Sequence, residues 1–414
     1  MNVLVYEHAC GGGYAEGVVS PGILAEGFGM LRSCVAGLKL AGHRVSVVVD
    51  EGLSLCNFPV DADCVIPVFS FRDAQQAILR VCASVDAAYV IAPETGGVLP
   101  ELVRFIGQQG VSLLNSCPDA IRVVSDKMGL YNVLRSSGLR VPRTVLMRVS
   151  DFGEAGFMGG FGFSFPVVVK PVDGVGCSGL SLVEDLSQVG GAVRRVVSEL
   201  GCDVFMVQEY LVGEHVSVSL LCAGGRGVAV SLNRQNVSLA LPDGVSCYSG
   251  GVVPFCSGDV EREVFRVAEA VVGCFSGLRG YVGVDMVLTG SGPVVLDVNP
   301  RLTTSFIGLS RVADFNVANA ILDASLHGVL PSDVSFLGFS CFSKLETPNV
   351  DRDVLDALCG MSDVVSPPFP VQDSKTGCAM LSVEDVSCEE ACCRLEKVKG
   401  RVLGMCRGGV GSFG

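Results

Sequence analysis

Two periods of hydrophobic pattern run through this chain, and the places where one gives way to the other mark its elements. MNVLVYE opens as an apolar strand; after the HACGGGY turn, ILAEGFGMLRSCVAGLKLAGH repeats its apolar residues at helical spacing, and RVSVVVD resumes as strand. Strand-like runs at 87–92 and 111–115 then alternate with helical stretches near 72–83 and 98–107. This βαβ order predicts a parallel sheet covered on both faces, so residues 1 to about 117 are expected to form one Rossmann-like α/β unit. Ligands gather at the carboxyl ends of such strands, where Glu7, Gly11 to Gly13 and Glu94 fall.

From Ser125 the pattern predicts a helix, SDKMGLYNVLRSSG, closed by Gly138. Lys127 sits in its first turn, where a cation opposes the helix dipole unless an anion is near. The strand FPVVVK then runs into PVDGVGCSG, with Lys170 at the base of the loop. Its three glycines let backbone N–H groups approach a ligand; without the GxxxxGK[ST] spacing it is either a phosphate-covering loop or a plain glycine-rich hairpin. A strand at 180–183, a helix near 186–200 and a strand at 204–209 complete a small α+β module. Gln208, Glu209, Tyr210 and Leu211 lead from it into a second sheet that begins with strands at 216–222 and 228–232. Such a junction can hold a planar base by backbone groups over an apolar floor.

A helix near 261–276 precedes YVGVDMVLTGSGPVVLDVNPR, which reads as two strands joined by a tight turn. Alternation puts Asp297 and Asn299 on one side, and Asp285 on the partner strand can lie across from them. Three converging oxygen donors suit Mg2+ or Mn2+. Arg301 follows at once. An apolar helix at 315–328 and then an α/β appendix, 336–414, complete the chain: a strand near 339–345, the SPPFP break, the strand CAMLSV, the helix CEEACCRLEKVKG, and a GGVGSFG tail expected to be disordered.

Composition narrows the partners. At 414 residues two or three packed units are expected. Hydrophobic residues make up 49% and the mean hydropathy is +0.50, yet no apolar run is long enough to span a bilayer and the start lacks signal-peptide features. The expectation is a cytoplasmic protein without a membrane partner. A net charge of -13 opposes nucleic-acid binding. The nineteen cysteines contain no CxxC pair and read as small buried hydrophobes; the densest group, Cys388, Cys392 and Cys393, lies at helix spacing without nearby histidines. A homo-oligomer is compatible with all of this.

Lys127 before a helix, Lys170 with its glycine-rich loop, the junction QEYLVGEHVSV, and Asp285 with LDVNPR, in that order, resemble the ATP-grasp family. The resemblance implies an ATP-grasp fold over 118–335 with a lid at about 140–210, behind the α/β unit at 1–117. It implies ATP held between two α+β subdomains, with Lys127 and Lys170 on phosphates and Gln208 to Leu211 around adenine. Either Glu214 or His215 would serve the ribose, where many members carry an acidic residue. Asp285, Asp297 and Asn299 would bind two Mg2+ ions, Asp297 standing where glutamate is commoner. Lys170 and Arg301 would neutralise charge in the transition state.

Within the family, YEHACGGG, SPGILAEGFGMLRS, IAPETGGVL and SLNRQN resemble the tyramine–glutamate ligase group, which makes a γ-glutamyl amide for methanofuran biosynthesis. That implies small-molecule carboxylate and amine substrates joined through an acylphosphate. Glu7 would then orient an ammonium, unless it is a loop residue exposed to water, and Arg234 or Arg301 would hold a substrate carboxylate. The rival readings are a ligase for other amino acids, a phosphotransferase, and a nucleotide-binding protein without ligase activity; the last should have lost a lysine or a metal ligand, and none is lost.

Overall fold

The computed structural model describes every residue except 15–18, 55–58, 152–162, 175, 202, 257, 372–373 and 409–414. Of the tail expected to be disordered, Gly408 ends the last helix and the rest lies outside the described residues. Three sheets follow one another along the chain. The first holds β1 (Asn2–Glu7), β2 (Arg44–Asp50), β3 (Cys64–Val68), β4 (Ala87–Ile91) and β5 (Ser112–Leu113), all parallel, in the order β3-β2-β1-β4-β5. After β3 the chain passes back across β1 to place β4 on its other side, which opens a crevice at the carboxyl ends of β1 and β4. The helix Pro21–Leu40 starts where Ser20 accepts the N–H of Ile23 at 3.2 Å and where proline's missing donor costs nothing.

The sequence pattern misses β3 because Pro67 interrupts it. The strand lies at the sheet edge, where a missing N–H leaves no ladder bond unmade. β5 is shorter than the predicted 111–115 run.

The second sheet is antiparallel: β6 (Thr144–Arg148), β7 (Val167–Pro171), β8 (Ser181–Val183) and β9 (Val204–Glu209), in the order β6-β9-β7-β8. Val167, Val169, Phe205 and Val207 bury one face against the helix Leu186–Leu200 through Val193 and Val196. The residues between them, Val168, Lys170 and Gln208, are thereby turned to the opposite side.

The third sheet has eight strands: β10 (Glu214–Ala223), β11 (Arg226–Ser238), β12 (Cys247–Val253), β13 (Gly280–Thr289), β14 (Gly292–Asn299), β15 (Phe339–Pro348), β16 (Val364–Ser366) and β17 (Thr376–Asp385), in the order β14-β13-β10-β11-β12-β15-β17-β16. The strands after residue 336 extend this sheet. β12, with its paired glycines, is absent from the strands that the sequence pattern predicts. Gly250, at φ 131°, and Gly251 are needed because a Cβ would run into the carbonyls of Phe342 and Arg234 on the flanking strands. One apolar core joins Val3 and Val5 of β1, Phe28 and Leu31 of the first helix, Phe306, Phe342 of β15 and Met380 of β17. The helix expected at 315–328 is split into Val317–Leu322 and a wider turn, Asp323–His327, closed by Gly328 at φ 68°. Among the described residues, no helix is long and apolar enough to cross a membrane.

Candidate active site

A cleft of about 310 Å³ lies where the three sheets meet. Its floor is the β13–β14 hairpin, whose register sets Asp285 directly opposite Asp297 and Gly283 opposite Asn299. Asn299 donates to one oxygen of Asp285 at 2.9 Å and Gln235 of β11 donates to the other at 3.0 Å. Burial, and then the carboxylate of Asp297, push Asp285 up to about 6. Two carboxylates held face to face need positive charge, and part of it comes from Lys127, whose ammonium pairs with Asp297.

Lys127 opens the helix Lys127–Ser136, capped by Asp126, which accepts the N–H of Met128 at 3.2 Å. Burial pulls the ammonium down, but Asp297 outweighs it and holds Lys127 above the usual lysine range. The lysine that opposes the helix dipole is thus offset across the cleft. With two carboxylates facing each other and the amide of Asn299 beside them, the donor set fits a hard divalent ion.

The second sheet supplies the roof. Lys170 donates to the hydroxyl of Tyr131 at 3.2 Å, Gln208 donates to the same oxygen at 3.1 Å, and Tyr131 in turn donates to the carbonyl of Leu296 at 2.8 Å. One buried tyrosine therefore ties the roof lysine and the junction glutamine to the floor strand. The loop after Lys170 bends through Gly176 and Cys177, both at positive φ (64° and 69°), and Asp173 on it accepts the N–H of Gly96 at 2.7 Å. It thus bridges to the first unit. Gln208, Glu209, Tyr210 and Leu211 all line the cleft, with Val168 and Leu296 as apolar neighbours, and His215 lines it from the start of β10.

The other end of the cleft is built from parts that the sequence keeps far apart. Glu94, just past β4, takes the guanidinium of Arg301 at 2.9 Å, while its second oxygen is buried with no hydrogen-bond partner among the described residues. Glu26, on the first helix, accepts from Thr304 at 2.8 Å and from Lys344 of β15 at 2.6 Å. Lys344 also stands 5.6 Å from the centre of the Tyr248 ring. Burial pulls Lys344 down, but Glu26 holds it above the usual lysine range.

Glu26, Gln235, Tyr248 and Lys344 were not among the nominated residues. Glu26 did carry a signal: with Arg32 it is one of two charged side chains in the otherwise uncharged run 21–38.

Three nominated residues lie elsewhere. Glu7 is buried and accepts N–H groups from Ala9 (3.1 Å) and Cys10 (2.7 Å) in its own turn, under a helix that approaches so closely that a Cβ on Gly27 would touch the carboxylate. It neither faces water nor lines the cleft, because its turn has already taken both oxygens. Glu214 and Arg234 form a half-exposed ion pair, 2.5 Å apart, on the opposite face of the third sheet. The cause is strand alternation: Arg234 is opposite Val216, whose own partner Met286 is core, so the cleft side belongs to Gln235 and His215.

Residues 124–305 match the ATP-grasp domain family and residues 43–121 match the pre ATP-grasp 3 domain family. The chain thus carries a stretch that matches an ATP-grasp domain, preceded by one that matches a pre ATP-grasp domain. Among curated relatives it is similar to the tyramine–L-glutamate ligase of Methanocaldococcus jannaschii, at 28% identity over 57% of this chain and 63% of that protein, a little under two thirds of its length. It is also similar to the tyramine–L-glutamate ligase of Methanocaldococcus fervens, at 25% identity over 77% of this chain and 94% of that protein. Among solved structures it shares its fold with the Campylobacter jejuni biotin carboxylase in complex with βγ-ATP, at a TM-score of 0.69, 14% identity, and coverage of 99% and 95% of the two chains.

Proposed function

We propose that this chain is an ATP-dependent carboxylate–amine ligase, and that it joins L-glutamate to tyramine to give γ-glutamyltyramine, a step toward methanofuran. The observation that carries the ligase reading is the division of one cleft into a polyanion end and an organic end. At the first, Lys127 and Lys170 stand over Asp285, Asp297 and Asn299; at the second, Glu26, Glu94, Arg301 and Lys344 present both signs of charge. A transferase for one neutral substrate has no need of the second set. The names of the two Methanocaldococcus relatives support the choice of substrate pair.

ATP would lie with its base at Gln208 to Leu211 and its ribose near His215. Asp285, Asp297 and Asn299 would hold Mg2+, whose chemistry there is to neutralise charge on the phosphoryl group in transit. A substrate carboxylate oxygen bonds to the γ-phosphorus as the bond from that phosphorus to ADP's oxygen breaks. The amine nitrogen then bonds to the acyl carbon, inorganic phosphate leaves with the electron pair of the carbon–oxygen bond, and the amine's proton is lost. Lys170 and Arg301 serve as fixed positive charges in a site already desolvated, which avoids reorganisation during transfer. The unpartnered oxygen of Glu94 is the acceptor an incoming ammonium needs, the task for which Glu7 is placed too deep. Asp173, Gly174, Gly176, Cys177 and Ser178, which line the cleft, would screen the acylphosphate from water.

The test is phosphate release with ATP, Mg2+ and pairs of carboxylates and amines, with the products weighed by mass spectrometry. ADP and γ-glutamyltyramine in equal amounts are expected. An amide from a different pair would replace the substrates and keep the ligase; a phosphorylated product with no amide would remove the ligase itself.

A further inference from the structure

Outside the cleft, three thiols converge on the back of the third sheet. Cys341 of β15 and Cys388 and Cys392 of the helix Cys388–Gly408 place their Sγ atoms within 4.8 Å of one another. On β15, Phe342 and Lys344 take the front, so Cys341 faces the back, where Val383, Leu395 and Val398 pack. The helix crosses above it, and the spacing of four residues stacks Cys388 and Cys392 on one side. Cys341 and Cys392 have their sulfurs 3.0 Å apart, and the Cys341 sulfur lies 4.0 Å from the carbonyl oxygen of Cys388. Burial is graded across the three: Cys341 is buried, Cys388 half-buried and Cys392 exposed. The cluster has a floor and an open mouth.

A cation also stands on this face. Cys341 is paired with Val252 and Val252 with Arg234, so Arg234 lies in the same cross-strand row, close enough for its charge to act on Cys388. The geometry points to a three-thiolate site for one thiophilic d10 ion, Zn2+ or Cu+, that pins the last helix to the sheet. The donor set excludes Mg2+ and Ca2+, which want oxygen, and three protein ligands leave a fourth position toward solvent. Cys393, next in sequence but outside the cluster, is the built-in control.

The full chain, purified reduced and metal-free, is titrated anaerobically with Cd2+ and followed by the cadmium–thiolate charge-transfer absorption. Zn2+ and Cu+ then compete in separate arms. One tight site per chain is expected, at least about tenfold weaker in Cys392→Ser and unchanged in Cys393→Ser. The thermal midpoint should rise with the better-bound ion in the wild type and stay flat in Cys392→Ser. Because Cys392 is exposed, its loss leaves the core intact. Equal Cd2+ affinity in the wild type and Cys392→Ser overturns the site, and so does failure of both Zn2+ and Cu+ to displace Cd2+.

Discussion

The two faces of the eight-stranded sheet are made by the same strands and do opposite work. Toward the cleft they present His215, Gln235, Tyr248, Asp285 and, from β15, Lys344; toward the back they present Val216, Arg234 and Met286, each one residue from a cleft residue, and Cys341 on β15, three from Lys344. Val216, Val218 and Met286 bury against the helix Glu261–Gly273, while polar groups collect where the second sheet closes over the front. A shift of one position thus separates a cleft residue from a core residue. The front is costly to build, since its charges must be paired or bonded once out of water; the back carries the apolar burial that stabilises the strands.

The largest effect should come from Asp297→Ala, which removes a proposed metal donor and the partner of Lys127 together. Turnover should fall by about a hundredfold to a thousandfold at saturating Mg2+, with the thermal midpoint near wild type. Near-normal turnover in this variant would put the metal site elsewhere. Lys170→Met follows, with a loss of about 2–4 kcal/mol of transition-state stabilisation seen in kcat/KM for ATP. Unaltered kinetics with ATP would detach the triphosphate from the roof strand.

Glu26→Gln tests the organic end. It removes the charge that holds Lys344, and the KM of one organic substrate should rise about tenfold while that of ATP stays within twofold. If both constants move together, Glu26 supports the fold and not the substrate. The smallest effects come as a pair of neighbours. Gln235→Leu deprives Asp285 of a hydrogen bond on the front and should slow turnover by about three- to tenfold. Arg234→Leu breaks a half-exposed ion pair on the back, should cost under about 1 kcal/mol of stability, and should leave turnover alone. The reverse pattern would mean that the two faces have been exchanged.

What the sequence determined by itself was local and periodic. The period-2 run over 281–301 already brought Asp285, Asp297 and Asn299 together, and the structure puts the two aspartates in register. The βαβ alternation of the first unit, the roof strand with Lys170, and the junction at Gln208 to Leu211 were legible for the same reason: backbone geometry couples side-chain direction to position within a few residues. Strands broken by proline or glycine, β3 and β12, were not legible, because their tolerance comes from an edge and from close neighbours that only the sheet supplies.

Tertiary structure alone decided the rest. Glu26 meets Lys344 at a sequence separation of 318, and Arg301 meets Glu94 at a separation of 207. Whether Arg234 or Gln235 entered the cleft depended on the register of β11 against β10, and whether Glu7 was open or sealed depended on a helix settling over its turn. Such choices rest on packing and charge pairing between segments distant in the chain. Periodicity within one segment carries no information about which partner will cover it.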